Sequence, residues 1–266
     1  MLNSLDKNQF QNKLKNIKAQ INQEILEIFS ANNDKEFQSK LKSSLKEDKS
    51  IVTYMDQLIS DIFKKDFMPI IPHFNFYSEE EQCSLKFPAL IIDPIDGTKE
   101  FSKAIPECCV SVGIFNSPDL EDPQNYAWIY NPLTGFELSS DDVIKSPVNL
   151  DYHKNILSGL VSSTEWSESV LDTLSKQKEV EKLQLLPLGS IAFKLALLAS
   201  GGADYVISQK PKNIWDIAAG TLLCFQRGIY FYNKGKKLTS LSKEMYYPDL
   251  LWCRENIKNY FNTQNY

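Results

Sequence analysis

Between residues 5 and 30, Leu14, Ile17, Ile21, Ile25, Ile28 and Phe29 return at helical spacing, with Lys, Asn and Gln between them. That rhythm predicts an amphipathic helix whose charges form a solvated face. A polar stretch rich in Lys and Ser covers 31–50. A second helix is predicted over SIVTYMDQLISDIFKKDF (50–67), with Ser50 as its cap. HFNFYSEEE reads as a strand running into an acidic turn. FPALIID is apolar throughout, as in a sheet covered on both faces. CVSVGIF (109–115) is another strand, and AWIYNPLTGFELSS a hairpin turning at Asn131–Gly135.

Past the polar, turn-rich DDVIKSPVNLDYHKN the pattern changes to alternation. ILSGLVSS predicts a strand and TEWSESVLDTLSKQ a helix capped by Ser163 or Thr164. LQLLPLGS leads as a strand into the helix SIAFKLALLAS, which ends at Gly201-Gly202. ADYVISQ is a strand, NIWDIAAGTLLCFQRG a helix and GIYFYN a strand. Residues 1–150 therefore read as an α+β half and 151–266 as a βαβα-like half, packed tightly as one unit. The chain has 266 residues, which suits one large α/β unit or two such halves. Its net charge of −5 supplies no global basic field for a nucleic-acid polymer or an anionic membrane. No apolar run is long enough to cross a bilayer, and the start MLNSLDKNQFQNKLK lacks the apolar core of a signal peptide. The five cysteines show no paired spacing and have mostly apolar neighbours, so they read as buried, reduced thiols of a cytoplasmic protein.

The chemistry-bearing residues lie near strand ends. Glu79, Glu80 and Glu81 close one strand, Asp93 and Asp96 the next, and Asp216 falls in the first turn of a late helix. Clustered carboxylates repel and raise one another's pKa, so a tight cluster needs a cation to offset it. Mg2+ takes hard oxygen ligands and favours sites shared with phosphate. In DPIDGT, Pro94 stiffens the turn and Gly97 lets the backbone approach a ligand. Taken singly, each feature also fits a solvated acidic turn or a helix cap.

SIVTYMD, YSEEE, DPIDGTKEF and NIWDIAAG, in that order, resemble the inositol monophosphatase-like phosphatase superfamily over about Lys46 to Gly235. The resemblance implies a layered αβαβα sandwich and hydrolysis of a small phosphorylated metabolite by metal-activated water. It implies about two or three Mg2+ ions per site, with Li+ as an inhibitor. Carried over by residue, Glu79, Asp93, the carbonyl of Ile95, Asp96 and Asp216 become metal ligands. Glu79 also orients the attacking water, which Thr98 helps activate with Asp56 as its acidic partner. Gly97 and Thr98 supply phosphate-binding amides. His73 and His153 fall outside every motif.

Within the superfamily the chain leans toward the CysQ-type 3'(2'),5'-bisphosphate nucleotidases, which convert adenosine 3',5'-bisphosphate to AMP. Lys99-Glu100-Phe101 after DGT is similar to those enzymes, as is Lys194 seven residues before Gly201. Gln209 stands where inositol monophosphatases carry a ring-binding glutamate, followed by lysines at 210 and 212. Gly189, Ser190, Lys194 and Lys210 are the expected substrate contacts. Inositol-1-phosphate or sugar phosphatase activity is the alternative, and a non-catalytic binding relative a further one. Asn22-Gln23 replaces the small pair usual in the first helix, and Ser190 stands one residue further from Lys194 than in CysQ-like chains. The resemblance is divided between monomer and homodimer.

Overall fold

A computed structural model describes residues 7–30, 54–81, 83–142, 156–166 and 182–261. Helix α1 (Lys7–Ser30) buries Leu14, Ile17, Ile21 and Ile25, four of the positions its periodicity marks, together with Phe10 along one stripe. Asn22, in place of the usual small residue, accepts a hydrogen bond from the Tyr130 hydroxyl. Helix α2 (Tyr54–Ile62) continues through a π-turn at Phe63–Phe67 and a 3-10 turn at Met68–Ile70. The expected Ser50 cap lies outside the described residues.

Both helices cover one face of a five-stranded sheet ordered β1-β2-β3-β4-β5. Its strands are β1 (Asn75–Ser78), β2 (Ala89–Asp96), β3 (Cys109–Phe115), β4 (Tyr126–Tyr130) and β5 (Glu137–Ser139), with the one-turn helix α3 (Thr98–Phe101) after β2. β1 and β2 are parallel and the remaining pairs antiparallel. The hairpin between β4 and β5 turns where the sequence places it. Asn131 accepts there from the amides of Leu133 and Thr134.

The second sheet runs β11-β10-β13-β8-β6-β7. It uses β6 (Leu157–Ser162), β7 (Leu183–Leu188), β8 (Tyr205–Ser208), β10 (Tyr230–Asn233), β11 (Lys236–Leu238) and β13 (Leu250–Cys253). A small ladder joins β9 (Lys212–Asn213) to β12 (Met245–Tyr246). Between the two sheets lie α4 (Ile191–Ala199) and α5 (Ile214–Phe225), and α6 (Glu255–Lys258) packs on the outer face of the second sheet. The result is the expected αβαβα sandwich. The largest core joins Ile91, Cys109 and Ile129 to Leu195, Val206, Leu222 and Trp252, so the halves share one interior.

One expectation changes, that every cysteine is buried. Ser163 and Thr164 lie in a turn after β6, and the helix predicted beyond them lies outside the described residues, as do His153 and the boundary at 143–155. Cys83 is exposed, while Cys108, Cys109, Cys224 and Cys253 are buried; all five are free. His73 is exposed in the turn before β1. Among the described residues no helix is long and apolar enough to cross a membrane.

Gly220 sets the approach of α5 to α4. A Cβ there would sit 2.5 Å from the Leu195 Cβ. Gly220→Ala should lower stability by about 1–3 kcal/mol through overpacking, despite the gain of about 1 kcal/mol in helix propensity. Chemical denaturation of both proteins measures the difference.

Candidate active site

The end of β2 carries an irregularity that decides where its acids point. Asp93 stands opposite Ser111 and Asp96 opposite Cys109, so β2 has one residue more than β3 across this stretch. In a regular strand, positions three apart face opposite sides. The bulge returns Asp93 and Asp96 to the same face, toward α4 and α5, and leaves Ile92 and Ile95 in the core under α1 and α2. Gly97 follows at φ +90°, and a Cβ there would come within 2.9 Å of the Glu107 carbonyl. Only glycine fits both demands. The Thr98 hydroxyl donates to the Ile95 carbonyl at 2.9 Å and closes the turn.

Asp96 spends one oxygen on the start of α4. Its Oδ2 accepts from the Ser190 hydroxyl and the Ala192 amide, both at 2.6 Å. Ser190 in turn caps the helix by accepting from the Phe193 amide. A carboxylate at a helix N-terminus is favoured by the exposed amides there. Asp216 does the same at the start of α5, where its Oδ2 accepts from the Asn213 amide at 2.8 Å.

Asp93 has no such arrangement. It is 2% exposed, and its Oδ1 is buried with no hydrogen-bond partner. Burial pushes its carboxyl well above the usual range, and the charges of Glu79, Asp96, Asp216 and Asp56 push it further. Asp216 is raised likewise, by burial and then by Asp96 and Glu79. Residues from α2, the turn after β1, β2 and α5 thus meet in one negative field. As the side chains stand, no three His, Cys, Asp or Glu groups among the described residues are gathered closely enough to hold an ion. The acids share a field rather than a closed ligand shell. An all-oxygen donor set with one orphaned buried carboxylate oxygen nevertheless fits Mg2+, which keeps several waters and needs few protein ligands.

A cavity of about 220 Å³ opens beside this cluster. Asp96, Gly97 and Glu100 line it from the β2 turn, Gly189, Ser190 and Ile191 from the start of α4, and Asp216 from α5. Ser162, Ser163, Thr164, Pro211 and Lys212 complete the wall.

Two expected substrate contacts lie outside the lining of this cavity. Lys194 is fully buried and does not line the cavity. Its ammonium donates to the Ser162 hydroxyl and to the carbonyls of Leu188, Gly189 and Ser190, at 2.5–3.2 Å. Burial lowers its pKa to about 8, against the opposing pull of Asp96. Four oxygens therefore occupy the group expected to reach a phosphate. Lys210 donates to the Thr164 carbonyl at 2.9 Å and also stays outside the lining. The lysine in the cavity wall is Lys212, paired with Glu165 at 2.8 Å.

Glu107 and Glu165 escaped the sequence reading. Glu107 accepts from the Gly189 amide through its side chain and from the Ser190 amide through its carbonyl. Glu165 accepts from the Ser208 hydroxyl, the Gln209 amide and Lys212. No motif marks either, since their partners lie more than forty residues away.

The sequence profile of the inositol monophosphatase family matches residues 6–254. Inositol monophosphatase 1 of Rattus norvegicus is 25% identical over 195 residues, covering 67% of this chain and 69% of the relative. Inositol monophosphatase II from Staphylococcus aureus MSSA476 superposes with a TM-score of 0.69 at 15% identity, covering 93% of this chain and 90% of that one. CysQ from Bacteroides thetaiotaomicron superposes with a TM-score of 0.63 at 21% identity, over 92% of this chain and 97% of that one. At these identities the structural likeness speaks to the fold.

Two outcomes are expected. Asp93 and Asp216 hold protons more tightly folded than unfolded, so without divalent cation the fold loses stability as pH rises from about 4 through their raised values. Mg2+ binds the ionised carboxylates, so its stabilisation should grow over the same window. Thermal melts with and without Mg2+ should show a larger shift at about pH 8 than at about pH 5.5. Lys194→Met should cost about 1–3 kcal/mol, mainly by stranding the Gly189 carbonyl, since the carbonyls of Leu188 and Ser190 keep the backbone amides of Ser163 and residue 194; denaturant unfolding reads the loss.

Proposed function

The chain belongs to the inositol monophosphatase family, and from that membership we propose that it is a Mg2+-dependent hydrolase of small phosphate monoesters. The observation that carries this reading is the buried, unpartnered Asp93 oxygen in a field of four further carboxylates. Glu79, Asp93, the Ile95 carbonyl, Asp96 and Asp216 would hold the metal. Mg2+ there would lower the pKa of an attacking water and offset charge on the phosphoryl oxygens. Thr98, anchored on the Ile95 carbonyl, would polarise that water, with Asp56 as its acidic partner. Asp96 and Asp216 line the cavity, and Gly97, Gly189 and Ser190 would receive the phosphate.

The geometry favours a polyol or sugar monophosphate. The cavity is small, its lining is mostly hydroxyl, glycine and carboxylate, and among the described residues no aromatic side chain lines it to stack on a base. Lys194 and Lys210, two supports for a second phosphate, are engaged elsewhere. A second reading, the 3'(2'),5'-bisphosphate nucleotidase, is favoured by Lys212 in the wall and by Gln209 in place of the ring-binding glutamate.

Phosphate release from inositol 1-phosphate, fructose 1-phosphate, fructose 1,6-bisphosphate and adenosine 3',5'-bisphosphate, with Mg2+ and with added Li+, separates these readings. Preference for the nucleotide would overturn the monophosphate assignment. Tight Mg2+ and ligand binding without release of phosphate from any of them would instead mark a binding protein. Thr98→Ala should lower kcat by about 10²–10³-fold while calorimetric Mg2+ affinity stays near that of the parent. Asp93→Asn should lose both.

A further inference from the structure

The cavity wall formed by Ser162–Thr164 and Pro211–Lys212 contains a charge pair that the reaction does not need. Lys212 is the one basic side chain lining the cavity among the described residues. Its backbone is fixed in β9 by pairing with Tyr246, and its ammonium lies 2.8 Å from Glu165 Oε1. The Glu165 side chain is 1% exposed and the Lys212 side chain 13%. Glu165 is itself immobilised. Its oxygens take the Ser208 hydroxyl and the Gln209 amide besides Lys212, and its own amide donates to the Ser162 carbonyl.

We infer that Glu165 is a specificity-determining positioning residue, which holds Lys212 in the cavity wall and offsets its charge so that the pocket accepts esters bearing a single phosphate. An ammonium carries three donors. Glu165 occupies one, and two remain for neutral acceptors such as sugar hydroxyls. A second phosphate in this wall would meet an ammonium whose charge is already matched by a carboxylate with no escape into water. In such a poorly hydrated setting that carboxylate also repels the incoming anion. Burial alone would raise the Glu165 carboxyl, but Lys212 and the hydrogen bonds from Gln209 and Ser208 hold it below the usual range, so it stays ionised near neutral pH. Lys194 lies behind the same wall, yet Asp96 and its four oxygen acceptors take up its charge. The inference deepens the phosphatase reading and rests on it for the identity of the pocket.

The test compares fructose 1-phosphate with fructose 1,6-bisphosphate in the Mg2+-loaded protein. Glu165→Gln should raise the bisphosphate-to-monophosphate ratio of kcat/KM about tenfold, through the KM for the bisphosphate and with kcat nearly unchanged. Lys212→Met added to Glu165→Gln should abolish that gain, as a double-mutant cycle requires of a direct pair. A Glu165→Gln protein that loses both activities in proportion, or keeps the parental ratio, overturns the inference. Should Glu165→Gln fail to fold, Lys212→Gln reads the balance in the other direction and should lower the ratio; an unchanged ratio again overturns it. Calorimetric affinities for the same two ligands give the ratio independently of turnover. Absence of turnover in the parent would therefore count against the phosphatase reading, and an unshifted affinity ratio against Glu165.

Discussion

Asp93 sits 2% exposed at the end of an apolar strand, with Glu79, Asp96, Asp216 and Asp56 close enough to raise its pKa. Burying one carboxylate in such company opposes folding, since burial and like charge both disfavour the ionised form. The rest of the fold supplies the opposing free energy. The two-sided apolar packing of β2 and β3, with cores on both faces, holds the strand end in place whatever the acids prefer. Strain of this kind marks functional sites, where a group is held in a state it would not choose alone. A hard divalent cation converts the same field from a liability into a binding site.

Two of the acids are partly relieved by helix ends, and that relief ties chemistry to architecture. Asp96 caps α4 through Ser190 and Ala192, and Asp216 caps the first turn of α5. The start of α4 is fixed a second time by Glu107, which takes the amides of Gly189 and Ser190, and a third time by Lys194 behind it. Asp96 and Asp216 therefore each commit one oxygen to structure while lining the cavity. Dual use explains why these side chains have defined positions before any ligand arrives, which is what a preorganised site requires.

The legibility of this arrangement in the sequence follows the range of each interaction. Local patterns carried far: the stripe on α1, the fully apolar β2, and the Asn131 turn all depend on neighbours within a few residues. DPIDGT and NIWDIAAG were readable because turn and cap chemistry is local too. The bulge at Pro94-Ile95 was not, because it exists only against the register of β3. Lys194 misled for a related reason. A lysine in an apolar helix reads as a reaching group, but its acceptors come from β6 and from the loop before its own helix, and the last of these is set by the bend there. Glu165 looked like part of a helix start, and its partners at 208–212 are brought near only by the β6–β8 pairing.

Three of the walls that line the cavity are not equally free to change. The 96–100 turn is pinned by a bulge, a left-handed glycine and the Thr98 hydroxyl, so substitution there disturbs the strand itself. The 189–191 segment carries the start of α4, so substitution there disturbs a helix packed into the main core. The third wall is different. Its Glu165–Lys212 pair and the Lys210 bond to Thr164 join the turn after β6 to the 208–212 segment through side chains, and only the second of these runs into a helix cap, at Asn213. Exchanging the Glu165 side chain leaves the bulge and the hydrogen bonds at Ser190 and Asn213 in place. Substrate preference can thus vary in this wall while the reacting end stays fixed, which is how one scaffold supports different phosphate esters.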